Sequence, residues 1–124
     1  MCGIVGLFLK DKSLEPRLGE MLTSMLITMT DRGPDSAGIA IYGGESDGRS
    51  KMTVQAADPE TAFAGLEKSL SDVLGAKVGI AVKSTHAILD IPAGSTQQVR
   101  AALQDINPDI RLMSRGDSLE IYKE

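Results

Sequence analysis

Cysteine is almost absent from this chain, which carries a single thiol, at position 2, in 124 residues. One cysteine excludes an internal disulfide, and with it the stapled frameworks of small secreted domains. With only one histidine beside it, no zinc site can be assembled, and no residue spacing points to a metal or an organic cofactor. Tryptophan is missing, aromatic residues make up 3% of the chain, and 17 acidic residues outnumber 13 basic ones for a net charge of -4. Such a surface has little with which to stack bases or neutralise phosphates, so nucleic acid is not an expected partner. No charged start leads into a long apolar run, so neither a secretory signal nor a membrane span is expected, and the cytoplasm is the expected compartment. What is present, 42% apolar and 24% charged residues, suits an ordinary globular domain or part of a larger one.

Apolar patterning predicts an α+β chain. Ile4 to Leu9 reads as a short buried strand between glycines and the polar Lys10-Asp11-Lys12. A helix capped by Ser13 should follow, with Pro16 early enough to lose no internal hydrogen bond and Leu14, Leu18, Met21, Leu22, Met25, Leu26 and Met29 on one apolar face turned to a sheet. Asp31 to Gly38 forms a turn around Gly33-Pro34 and feeds a second strand at Ile39 to Tyr42. The polar Gly43 to Ser50 stretch lacks the Gly-Lys-Ser/Thr of a phosphate loop and reads as a hairpin connection to a strand at Lys51 to Ala56. Beyond it, Asp58 and Pro59 open a helix that buries Phe63, Leu66, Leu70, Val73 and Leu74 and stops at Gly75. Strands at Val78 to Val82 and His86 to Ile91, a helix from Thr96 to Ile106, and strands at Ile110 to Met113 and Leu119 to Tyr122 complete a small α/β unit. The domain boundary is expected at residue 57, dividing 1–57 from a subdomain or insertion at 58–124. His86, at a strand start, is expected to be a structural or surface residue.

The position of the one cysteine carries chemistry. Loss of Met1 would make Cys2 the first residue, and its thiol would then sit beside a free α-amine that titrates near pH ~8, a general base that needs no histidine. Taken alone, Cys2 is equally a small buried residue opening a strand. The loop Asp31-Arg32-Gly33-Pro34-Asp35-Ser36 is, taken alone, ordinary turn chemistry, with Asp35 and Ser36 capping the turn's own amides and Arg32 either snorkelling or pairing with Asp31 or Asp35.

Together the two segments, Cys2-Gly3-Ile4-Val5-Gly6 and, about thirty residues on, Arg32-Gly33-Pro34-Asp35-Ser36-Ala37-Gly38, resemble the class II glutamine amidotransferases of the amino-terminal-nucleophile hydrolase superfamily. The likeness is greatest to the amidotransferase subunits of glutamate-synthase-like and N-methylglutamate-synthase-like complexes. It implies the start of the superfamily's αββα sandwich over residues 1 to about 57. It also implies glutamine as substrate, Cys2 as nucleophile, Arg32, Gly33, Asp35 and Ser36 as support for the pocket, no cofactor, and a synthase subunit or domain that receives ammonia.

The family's later segments are not found in these residues. A His-x-Arg-x-Ala-Thr-like stretch and an Asn-Gly pair would supply the substrate clamp and the oxyanion donors, yet the only asparagine is Asn107, followed by Pro108, and His86 is followed by Ala87-Ile88. Losing an oxyanion donor costs roughly 3 kcal/mol or more of transition-state stabilisation, so the residues at hand are expected to be the inactive front part of an enzyme. The contrasting class of function is a non-catalytic interaction or regulatory module of a synthase complex, in which the α/β unit after residue 57 docks on partners.

Overall fold

The computed structural model describes residues 3–32, 35–43, 47–117 and 119–123, which fall into two compact units divided between Ala37 and Gly38. In the first unit the expected strand at Ile4 to Leu9 is not formed. Val5, Leu7 and Leu9 are half-buried while Ile4 and Phe8 are 96% and 84% exposed, so the residues alternate as a strand would, without a ladder. A strand needs a neighbour for its amides and carbonyls. None lies beside this segment among the described residues of the unit.

The helical part of this unit starts earlier and more tightly than the sequence suggests. Asp11, not Ser13, is the cap: its carboxylate accepts the Ser13 N–H at 2.9 Å, and a 3-10 segment runs over Lys12–Arg17. Pro16 has no N–H with which to close an α-helical turn, and the wider helix α1 begins only after it, at Leu18–Thr28. The predicted apolar stripe from Leu14 to Met29 is the half-buried face, but none of it is fully covered, and among the described residues of this unit no sheet receives it. Along the exposed side, Thr23, Ser24 and Thr28 return their hydroxyls to the carbonyls of Gly19, Glu20 and Ser24. Another 3-10 turn, Thr30–Arg32, ends the helical run.

The second unit holds strands β1 (Gly38–Tyr42), β2 (Arg49–Gln55), β3 (Gly79–Lys83), β4 (His86–Pro92), β5 (Arg111–Gly116) and β6 (Leu119–Lys123), with helices α2 (Pro59–Phe63), α3 (Leu66–Leu74) and α4 (Thr96–Ile106). Four strands form one antiparallel sheet in the order β3-β4-β2-β5, and β1 pairs with β6 in a separate two-stranded sheet. From β2 to β5 the chain therefore runs β-α-β-β-α-β, with the two outer crossings made by helices, which is the split βαβ arrangement.

This topology corrects one expectation. β2 is not the hairpin partner of β1 but the inner strand between β4 and β5, because Met52, Thr53 and Val54 are each 0% exposed and need cover on both faces. The compact second unit starts at Gly38 and takes in β2.

The core lies between the four-stranded sheet and its helices. Met52, Val54, Ala87, Leu89 and Ile91 meet Phe63, Leu66, Leu70, Val99, Ala102 and Leu103. Asp58 caps as predicted, accepting the Thr61 N–H at 3.2 Å, but the expected continuous helix to Leu74 is broken at Gly65, whose φ of 68° only glycine adopts readily. The break turns Leu66 into the core and leaves Val73, expected inside, 50% exposed. Helix α4 spans the predicted residues. No helix among the described residues is long and apolar enough to cross a membrane.

The interior sets the stability of this unit. Leu89→Ala should lower the unfolding free energy by about 2–5 kcal/mol, whereas Val82→Thr, at a position 53% exposed, should change it by about 0.5 kcal/mol or less. Urea unfolding followed by far-UV circular dichroism measures both.

Candidate functional site

The predicted site residues divide by what the structure describes of them. Cys2 and Gly33 lie outside the described residues. Arg32 ends the 3-10 turn at the close of the helical run, its N–H donating to the Met29 carbonyl at 3.0 Å, and Asp35 and Ser36 follow on the way to the end of the first unit. All three side chains are exposed, and among the described residues none of them makes a hydrogen bond or an ion pair. Of the two alternatives for Arg32, pairing with Asp31 or Asp35 is not made among the described residues, and Asp35 and Ser36 cap no described amide.

One contact joins the amino-terminal motif to this loop. A Cβ placed on Gly3 would collide with the Met29 side chain and come to 3.5 Å from Arg32 Cβ and 3.8 Å from Arg32 Cδ. The backbone at Gly3 lies against the tip of the Met29 side chain and the stem of Arg32. Residues separated by almost thirty positions are thus neighbours within one unit, and among the described residues the guanidinium, carboxylate and hydroxyl of the loop have no partner. Clusters of three or more His, Cys, Asp or Glu side chains able to hold a metal ion are absent among the described residues.

Sequence reasoning missed a second polar assembly, in the second unit, where β6 crosses the face of the sheet opposite the helices. Lys123 donates its N–H to His86 Nε2 at 3.2 Å and accepts from Gln55 Nε2 at 3.0 Å through its carbonyl. Ile121 N–H donates to Ser114 Oγ at 3.2 Å, and Lys51 Nζ meets Glu120 Oε1 at 2.7 Å. His86 is 2% exposed, and its ring meets that of Tyr122 edge-on with centroids 5.5 Å apart. Histidine tolerates many settings, so its sequence position alone gave only a structural or surface residue. The signal available was its place across β4 from Gln55, which requires the pairing of β2 with β4 to be known.

Charge is tuned in the same assembly. Partial burial works to raise the Glu120 carboxyl, but hydrogen bonds from Lys51 and Tyr122 and the charges of Lys51 and Lys83 outweigh it and hold it below its usual range. Burial and then the Glu120 carboxylate, which accepts the Tyr122 hydroxyl at 2.8 Å, push that phenol well above its ordinary value.

Over all 124 residues the chain is 60% identical to the glutamine amidotransferase-like protein GlxB of Rhizobium meliloti (strain 1021), of which it covers 41%. The chain is a homologue of glutamine amidotransferase-like proteins. A stretch of 44 residues, 36% of this homologue, is also 54% identical to a provisionally named glutamine amidotransferase of Methanothermobacter thermautotrophicus, covering 14% of that protein. The homologue thus spans less than half the length of either relative. No protein-family model matches it, and no solved structure does.

The two tuned groups give opposite pH dependences. Because the Glu120 carboxyl is lowered in the folded chain, its contribution is complete above the unfolded value near ~4.3 and is lost as pH falls through the folded value. Because the Tyr122 phenol is raised, its contribution is complete below about pH 10 and is lost as pH climbs beyond. Thermal unfolding across pH should show Glu120→Gln with a shallower acid decline than the parent and Tyr122→Phe with a shallower alkaline one.

Proposed function

We propose that this chain is the nucleophile-bearing part of a class II glutamine amidotransferase, the glutaminase half of a two-step ammonia transfer. The observation that carries the assignment is the packing of Gly3 on Arg32, which brings the residue after Cys2 to the Arg32-Gly33-Pro34-Asp35-Ser36 loop, in a chain similar throughout to a glutamine amidotransferase-like protein. After loss of Met1, the α-amine of Cys2 takes the thiol proton and the sulfur attacks the side-chain amide carbon of glutamine. The protonated amine returns that proton to the departing nitrogen as the C–N bond breaks, leaving a γ-glutamyl thioester and ammonia. Water then cleaves the thioester, releasing glutamate and restoring the thiol. Arg32, Asp35 and Ser36 brace the pocket and orient polar groups in it; bond making and breaking stay with Cys2.

The acceptor of ammonia is a synthase subunit or domain, as the likeness to glutamate-synthase-like and N-methylglutamate-synthase-like complexes implies. The oxyanion donors and the clamp for the glutamine carboxylate belong, on this assignment, to residues other than these 124, and the chain by itself turns over no glutamine. The amino-terminal-nucleophile sandwich is likewise part of the proposal, with residues 1 to about 57 contributing its opening elements.

In the full-length protein, Cys2→Ala should lower kcat/KM for glutamine hydrolysis by about 10⁴-fold or more, since nothing replaces a lost nucleophile, while melting temperature and assembly stay unchanged. Intact mass should show Met1 removed, and a glutamine-mimicking electrophile should label the first residue of the parent and not of the variant. Glutamine turnover retained in Cys2→Ala overturns the assignment.

A further inference from the structure

One edge of the four-stranded sheet carries no device against pairing with another strand. The sheet ends in β3 on one side and in β5 on the other. β5 is blunted, because it carries Arg111 and Arg115 and its ladder with β2 shifts register between Thr53 and Val54. β3 instead runs in unbroken register along β4, from Gly79 opposite Asp90 to Lys83 opposite His86, and it holds no proline and a single charge, at its far end. Among the described residues no strand lies beside its outer row of N–H and C=O groups, and Val82 is 53% exposed. Such an edge is a template for a further strand.

The residues of β3 suit it to a copy of itself. About a two-fold axis at Ala81, two antiparallel β3 strands overlap over all 5 residues. Ile80 then lies opposite the second copy's Val82, an apolar cross-strand pair made twice, and Gly79 lies opposite the second copy's Lys83. Residues 79, 81 and 83 share a face of the sheet with Asp90, the neighbour of Gly79 on β4. Gly79 puts no side chain between that lysine and Asp90, whose Oδ2 comes to 3.8 Å from where a Cβ on Gly79 would stand. Arg49 Nε occupies Asp90 Oδ1 at 3.0 Å, which fixes the carboxylate and leaves Oδ2 to accept. Lys83 makes no hydrogen bond or ion pair among the described residues and acts on Glu120 through its charge alone. Two strand spacings, about 10 Å, would separate the lysine and aspartate backbones, a span that their side chains close.

We infer that two copies of this chain associate through β3, antiparallel about Ala81, so that two four-stranded sheets become one of eight strands and Lys83 of each copy meets Asp90 of the other. The association is separate from the cysteine chemistry proposed above and stands or falls independently of it.

Sedimentation velocity of the 124-residue chain over about 1 µM to 1 mM tests the association: the mass should rise from that of one 13.1 kDa chain towards that of two. Val82→Lys should raise the dimer dissociation constant by about tenfold or more, and Lys83→Gln by about threefold or more, each with an unchanged far-UV circular dichroism spectrum. The register has its own test, in a Cys2→Ala background treated with diamide. Ala81→Cys sets two thiols directly across the axis, with Cα atoms about 4.5–5.5 Å apart, and should give a disulfide-linked dimer. Lys83→Cys sets its two thiols four residues apart along the paired strands and should not. Three results would overturn the inference: a single-chain mass at every concentration, which would leave the edge to some other strand; association as tight in Val82→Lys or Lys83→Gln as in the parent; or linkage through Lys83→Cys as efficient as through Ala81→Cys.

Discussion

The backbone of Lys123 is caught between two side chains of the sheet beneath it, and the arrangement of the second unit depends on that grip. For His86 Nε2 to accept the Lys123 N–H, the ring must carry its proton on Nδ1, where Thr85 Oγ1 lies at 3.1 Å. The imidazole of His86 and the amide of Gln55 thus hold both polar groups of one residue of β6. With β6 fixed, β1 has a partner: Gly38 faces Lys123, and the register runs from there to Tyr42 opposite Leu119. Gly38 follows directly on Asp35-Ser36-Ala37, so the loop of the candidate site leads into the strand pair that this grip secures.

Holding a strand by polar side chains requires polar groups to be buried and matched. Lys51 and Glu120 have side chains only 23% and 16% exposed, and the pair works because Tyr122 adds a hydrogen bond to the same carboxylate. The hydroxyl of Thr53, under β6 and 0% exposed, finds no partner among the described residues, which costs about 1–3 kcal/mol. The opposite face of the sheet pairs methionine, leucine, isoleucine and valine with helices and offsets such losses by apolar burial. Two unlike faces, one apolar and one polar, give β2 and β4 their near-continuous burial.

Local signals were legible in the sequence where they were complete. Helix α4 and strand β4 fall where apolar period and turn residues place them, and Asp58 with Pro59 marks a helix start that the structure keeps. Long-range pairing was not legible. Ile39 to Tyr42 and Lys51 to Ala56 read as a hairpin because they are consecutive, yet each finds a better partner far along the chain, β6 for the first and β4 with β5 for the second. The strand at Ile4 to Leu9 has the right alternation but no described neighbour, and the cap at Asp11 was hidden by Ser13, an equally good cap, because the restraint set by Pro16 acts three residues away. At the candidate site the residue types were readable and the meeting of Gly3 with Arg32 was not, since it depends on how α1 returns the chain.

Native-state hydrogen exchange on the folded chain tests the grip on β6 most directly. The amides of Lys123 and Ile121, donated to His86 and Ser114, should open with free energies within about 1 kcal/mol of that of Leu89 in the core strand, because β6 can leave only when the sheet beneath it opens. Exchange of those two amides at nearly unprotected rates while Leu89 stays protected would contradict the account.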